Sequence, residues 1–189
     1  MPGQEPGSPR PLVRVESSFE RRWPGASGPA TECVLNAYVL AVMIERASTA
    51  WLKDQGLPSL TAFNVLTILH GAGEPLQPST ISDRLMVTRG TLTGILDTLE
   101  RNGYTQRTQH AQDGRMRWVR LTSKGQAVVD ALRPRIHRAE RGLVTSLTRA
   151  EQEMLIDMLG RMQQAASELR FDSEPDGKTK PPEVAAPEH

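Results

Sequence analysis

The sequence predicts a mostly α-helical fold that carries one small β-wing. Three observations lead there. Aromatic residues make up only 4% of the 189, so Leu, Ala, Val, Ile and Met supply the hydrophobicity. Those residues recur at three- and four-residue spacing in six stretches between 33 and 170, the mark of helices that bury one face. One segment, 104–121, breaks that period and alternates, as a half-buried ribbon does. With 38% apolar and 24% charged residues the composition is that of an ordinary soluble globular protein, long enough for one domain with a real core and tails.

Residues 1–32 hold six Pro and four Gly with little periodicity and are expected to form a disordered arm, in which Trp23 either docks on the body or stands free. Residues 33–58 form a helix that is apolar almost all round from Val34 to Ile44 and is ended by Gly56 and Pro58. Such a helix must be covered on most sides: it either lies deep in a core or packs on the body with one face and on a partner chain with the other. Ser59 caps the next helix, with Leu60, Phe63, Leu66 and Leu69 inward. The GAGEP loop at 71–75 follows, and Pro78 opens a short helix with Ile81 and Leu85 inward.

A tight turn at Met86–Val87 leads to Thr88, which caps a helix with Leu92, Ile95, Leu96 and Leu99 inward. Two short helices joined by so brief a turn have helix-turn-helix spacing. Gly103 stops the second of them, and a ribbon runs through Tyr104–Gln109 and Arg115–Leu121, with Val119 and Leu121 facing in. Thr122 caps a long helix with a near coiled-coil seam at Leu132, Ile136, Ala139, Leu143 and Leu147, kinked at Pro134. Thr148 and Glu151 form a capping box for a last helix, with Met154 or Leu155, Met158, Leu159 and Met162 buried. From 171 to 189 the chain is acidic and Pro-rich, an expected disordered tail.

The organising stretch is 88–122. Advancing 100° per residue puts Gly90, Gly94, Asp97 and Arg101 opposite the apolar stripe, with Thr93 on the flank. Two glycines on an exposed helix face each cost roughly 0.8–1.0 kcal/mol against Ala. They are either simply tolerated or kept because something must approach the backbone. Thr93 offers a methyl and a hydroxyl to base edges, and Thr88 with the first-turn amides offers a phosphate site. Asp97 would repel phosphates and is expected to pair with an arginine, one of the ribbon being a candidate. Residues 101–124 carry six basic groups against Asp113 alone, a local +5 placed around a turn. At the tip, Asp113 can orient Arg115 towards a narrow minor groove, with Arg107 and Arg117 on phosphates and His110 incidental.

The run from Leu76 to Gly125 resembles the multiple-antibiotic-resistance regulator (MarR) family. VTRGTLTGILDTLERNGY is similar to that family's recognition helix, and DGRMRWVRLTSKG to its wing signature, D-x-R, five residues, L-T. Asp113, Arg115, Leu121, Thr122 and Gly125 fall in place, and the likeness extends more weakly over 33–170. The resemblance implies a winged helix-turn-helix DNA-binding domain at 59–122. It implies dimerisation helices at 33–58 and 123–170, and a homodimer on a pseudo-palindromic operator in double-stranded DNA. The implied contacts are Thr88, Arg89, Gly90, Thr91, Thr93 and Gly94 on the helix and Arg107, Asp113, Arg115 and Arg117 on the wing. It also implies release by a small molecule, often aromatic or phenolic, held between the DNA-binding lobe and the dimer helices. Trp51, Phe63 and His70 are candidates for that pocket, and plain core positions otherwise. The chain departs from the family at Gly114, where a second arginine is common, at Gln109, where proline is common, and at Gly94, where a basic residue is common.

Cys33 is the single cysteine. It rules out an intrachain disulfide and suits a reducing, cytoplasmic setting. Oxidant-sensing members of the family carry a reactive cysteine near this position, and a helix N-terminus favours thiolate; the other reading is a small buried residue. His70, His110, His137 and His189 show no metal-ligand spacing. There is no P-loop, dinucleotide fingerprint, Ser-His-Asp pattern or carboxylate pair, so neither cofactor nor enzyme activity is expected. No run of 18 apolar residues and no secretory signal is visible, so no membrane is expected. A winged helix used purely for protein contact remains a second class, separable by the salt dependence of DNA binding.

Overall fold

Side-chain caps set where the helices begin. The computed structural model describes residues 12–109 and 117–170, with Gln109 and Arg117 by their backbone alone. Helices α1 (Phe19–Arg22), α2 (Gly28–Asp54), α3 (Leu60–Ala72), α4 (Pro78–Leu85) and α5 (Arg89–Arg101) lead into strands β1 (Thr105–Gln109) and β2 (Arg117–Leu121), followed by α6 (Ser123–Leu143) and α7 (Arg149–Ser167). The mostly helical fold with a two-stranded antiparallel sheet is the one the periodicity indicates. Ser59 accepts from the Ala62 amide, Thr88 from the Thr91 amide and Thr148 from the Glu151 amide. At α7 the Glu151 carboxylate answers back to the Thr148 N–H, and that bond holds its pKa below the ordinary carboxylate value.

Over residues 12–32 the arm departs from the expected disorder, while residues 1–11 and the expected tail at 171–189 lie outside the described residues. Val13, Arg14, Val15 and Glu20 bond to the first turns of α2, which begins at Gly28, five residues before Cys33. Asn36 brackets Val13, accepting its N–H (2.9 Å) and donating to its carbonyl (3.0 Å). Glu32 takes the Val15 N–H (3.0 Å) and the Arg14 guanidinium (2.7 Å). These two bonds, the backbone one foremost, pull the Glu32 pKa below the usual carboxylate range. Composition registers the prolines of this segment but not the matched side chains one helix away. Trp23 stays exposed rather than docking.

The body is built on α3, whose Ala62, Phe63, Val65, Leu66 and Leu69 are all buried. Ile81 of α4, Leu92, Leu96 and Leu99 of α5, and Val119 of β2 close over the same core. The strands pair from Thr105 with Leu121 to Gln109 with Arg117. Leu76, in the loop after α3, adds a bridge to Val119 through two backbone bonds of 2.9 and 2.8 Å. The wing is therefore anchored on a third segment that the alternation alone does not reveal. Its base is tight at Gly125, where an added Cβ would stand 2.1 Å from the Tyr104 carbonyl oxygen. The Thr122 hydroxyl donates to the Gly103 carbonyl (2.6 Å) and accepts from the Gly125 N–H (3.1 Å), making the expected cap of α6.

The chain divides into two compact units, residues 1–134 and 135–189. The division falls at Pro134 inside α6, and Gly125, Val129 and Leu132, which precede it, are buried. Several positions expected to be buried are exposed in the single chain. Leu143 is 57% exposed, and Met154, Leu155, Met158, Leu159 and Met162 of α7 range from 38% to 56%. On α2, Val34, Leu35, Tyr38, Leu40 and Met43 are exposed as well. An amphipathic pattern marks the face that needs covering, not what covers it. The same helix reaches the length and mean hydropathy (1.2 over 18 residues) that a membrane span needs. No unbroken apolar run of 18 residues underlies it, and a helix that packs on other protein meets the same criterion.

Candidate nucleic-acid interface

The N-terminus of α5 is a finished cap. Thr88 Oγ1 accepts from the Thr91 N–H at 3.1 Å and lies 2.9 Å from the Thr91 hydroxyl. That occupies the Thr91 amide, so Arg89 and Gly90 supply the first-turn N–H groups left at this end. Gly90, Gly94, Asp97 and Arg101 are all exposed, on the face opposite buried Leu92, Leu96 and Leu99. A Cβ at Gly94 would meet nothing within 4 Å, and one at Gly90 only the Thr88 hydroxyl at 3.9 Å. Nothing in the described residues requires glycine at either place. The Thr93 hydroxyl donates to the Arg89 carbonyl (2.9 Å), which leaves its oxygen as an acceptor and its methyl as an apolar contact. Pro78, Ser79, Arg89, Leu92 and Thr93 line a cleft of about 390 Å³ between the start of α4 and α5, a feature the separate helix patterns do not disclose.

On the wing, Arg107, expected on a phosphate, is held by two carboxylates in the free chain. Its guanidinium lies 2.5 Å from Asp97 and 3.0 Å from Glu100, and its backbone N–H donates to the other Glu100 oxygen at 2.8 Å. The expected partner of Asp97, an arginine of the wing, is thus found. Glu100 joins the pair, and its position three residues past Asp97 is the sequence signal for it. Lys124 donates to the Asn102 carbonyl (2.8 Å) and stands 4.8 Å over the Tyr104 ring. Arg120 is exposed and donates to Gln106 (2.9 Å). His110, Asp113, Gly114 and Arg115 lie outside the described residues, as does the Arg117 side chain.

The other candidates separate. Phe63 is buried in the body core, Trp51 is half-buried, and His70, at the end of α3, meets Asp130 of α6 at 3.0 Å. Tyr38, Val39, Val42, Met43, Arg46 and Ala47 of α2 line a cleft of about 350 Å³, and none of the three proposed lining residues belongs to it. Cys33 is exposed in the second turn of α2. Both sequence readings of it therefore change: it is neither buried in the chain nor at the helix N-terminus, because the helix starts earlier than composition suggests. Among the described residues no group of three metal-ligating side chains occurs.

The model of the MarR family matches residues 59–116. A Bacillus subtilis HTH-type transcriptional regulator, YkoM, itself uncharacterised, is 37% identical over 111 residues, covering 57% of this chain and 68% of the relative. The HTH-type transcriptional repressor YetL of the same organism is 28% identical over 130 residues, covering 68% and 77%. The PcaV transcriptional regulator of Streptomyces coelicolor, solved in complex with its natural ligand, superposes with a TM-score of 0.57 at 25% identity, over 82% of this chain and 99% of that one.

Proposed function

The chain belongs to the MarR family of DNA-binding transcriptional regulators, and from that premise we propose that it is a ligand-responsive repressor that grips a pseudo-palindromic operator as a homodimer. It is a regulator and not an enzyme. The observation that carries the reading is the bare outer face of α5, where Gly90 and Gly94 have open space and Thr93 stands beside them. A helix face without Cβ atoms at i and i+4 lets a groove wall come close to the backbone. The α5 helices of two protomers enter successive major grooves roughly 34–36 Å apart. Thr88, Arg89, Gly90, Thr91, Thr93 and Gly94 then face bases and phosphates. Arg115, oriented by Asp113, enters the minor groove, and Arg117 takes a phosphate.

The uncovered apolar faces of α2, α6 and α7 support the dimer. A second copy covers Val34, Tyr38, Leu143, Met158 and Met162, which accounts for the hydropathy of α2 without a bilayer and fits a cytoplasmic regulator. The ligand-bound PcaV structure supports a small-molecule effector, an aromatic or phenolic one by family likeness. Such a ligand changes the spacing between the two α5 helices and weakens DNA binding by its differential affinity for the two states. The test is binding to a duplex selected from a random pool, across a salt series. The affinity should fall linearly in log–log form, with a slope of about −0.9 per phosphate neutralised. A flat salt response, or no selected duplex, would leave only a protein-contact role.

A further inference from the structure

Arg107 sits where a wing arginine would be expected to reach DNA, yet its side chain is only 20% exposed. It is held from four directions. Nη1 meets Asp97 Oδ1 at 2.5 Å and Glu100 Oε2 at 3.0 Å, Nη2 reaches the Thr93 carbonyl at 3.5 Å, and the backbone N–H donates to Glu100 Oε1 at 2.8 Å. That last bond uses a β1 donor which points away from β2, so the carboxylate pairs the open edge of the wing. Asp97 and Glu100 are three residues apart on α5, and two like charges at that spacing repel unless a cation lies between them. The forked guanidinium bridges them, as a point charge cannot.

We propose that Asp97, Arg107 and Glu100 form a clamp that fixes the angle between α5 and the wing, and that Arg107 is a positioning residue for DNA binding rather than a phosphate contact. The proposal rests on the DNA-binding reading above. It gives a role to the two carboxylates that α5 carries beside the wing. Their charge is half cancelled by Arg107, and their geometry aims the wing while the reading face stays bare.

The two roles predict opposite signs. The double variant Asp97→Asn with Glu100→Gln removes two negative charges beside the DNA and frees Arg107. If Arg107 serves phosphates, binding strengthens. If the clamp aims the wing, binding weakens, by about tenfold, despite the more favourable charge. Arg107→Lys adds a second arm: a phosphate contact tolerates the change, whereas a bridge across two carboxylates does not. The probe is the labelled duplex selected from a random pool by the unmodified protein, titrated by fluorescence anisotropy at several salt concentrations, with thermal unfolding measured alongside. The expected result is weaker binding by both variants with the unfolding midpoint within a few degrees, since partly exposed ion pairs add little to global stability. Tighter or unchanged binding by the double variant overturns the clamp. So does a loss of affinity that only tracks a large fall in the midpoint. If the unmodified protein selects no duplex, the DNA-binding reading fails and the clamp falls with it.

Discussion

Gly94→Ala separates what α5 needs to fold from what it needs to read. The residue lies in the middle of a 13-residue helix, with ordinary helical backbone, and beyond its own helix backbone and chain neighbours no described residue comes within 4 Å of the position a Cβ would take. Alanine there relieves the entropic cost of glycine and meets no obstruction, so the free protein should gain about 0.8–1.0 kcal/mol. For a chain of this length that raises the unfolding midpoint by roughly 2–4 °C. On DNA the same methyl stands in the gap between helix and groove. Losing close approach at one base costs about 1–3 kcal/mol, a 5- to 150-fold weaker complex. Differential scanning fluorimetry and anisotropy titration on one preparation measure both. The expected pairing is a stabler protein that binds DNA less well. A stabilised protein with unaltered DNA affinity would show that the open face of α5 is not the reading face. A destabilised one would show that the space at Gly94 is closed in solution.

Three further changes probe the parts that support this face. Gly125→Ala should destabilise by at least 2–3 kcal/mol, about the upper range for overpacking, because the added methyl would stand 2.1 Å from the Tyr104 carbonyl oxygen; chemical denaturation with an unchanged midpoint would contradict it. Thr105→Val should stabilise by about 1 kcal/mol, since the Thr105 hydroxyl is buried without a hydrogen-bond partner among the described residues and its desolvation is uncompensated; a loss on denaturant titration would reveal a partner. The arm should be pH-sensitive. Glu32 has a pKa lowered chiefly by the Val15 N–H and next by Arg14, so its contribution is complete above the ordinary value of 4.5 and is lost as pH falls through the lowered one. Protection of the Val15 amide against hydrogen exchange should therefore fade in acid, and should persist there only if Glu32 does not hold the arm.

The sequence was most legible where local chemistry decides the outcome. The Thr88 cap, the Gly103 stop, the Thr148–Glu151 box and the inward set Leu92, Leu96 and Leu99 each follow from residues within one turn of one another. Less legible were contacts that join distant residues through specific atoms. Val13 with Asn36 is 23 positions apart, and no property of either residue alone announces the pair. A proline-rich composition implies that an arm cannot build its own core, but this arm borrows a helix. The same holds for Leu76 with Val119, and for α7, whose spacing marks an apolar stripe while the single chain leaves it exposed.

The charge of the wing shows why that difference matters for function. Counted over 101–124 it is +5, six basic residues against Asp113. Begun at Asp97 instead, the same segment holds six basic and three acidic residues, a net +3. The window that begins at the end of α5 omits the two carboxylates that face Arg107. Lys124 is turned to the Asn102 carbonyl and the Tyr104 ring, so the cations available to a DNA backbone are fewer than the count suggests. The salt slope should then report fewer than six phosphates per chain at about 0.9 each. A wing that used every cation on phosphates would bind all sequences more tightly, because that term carries no sequence information. On the clamp reading, committing Arg107 to Asp97 and Glu100 gives up part of that affinity in exchange for a fixed contact between α5 and β1.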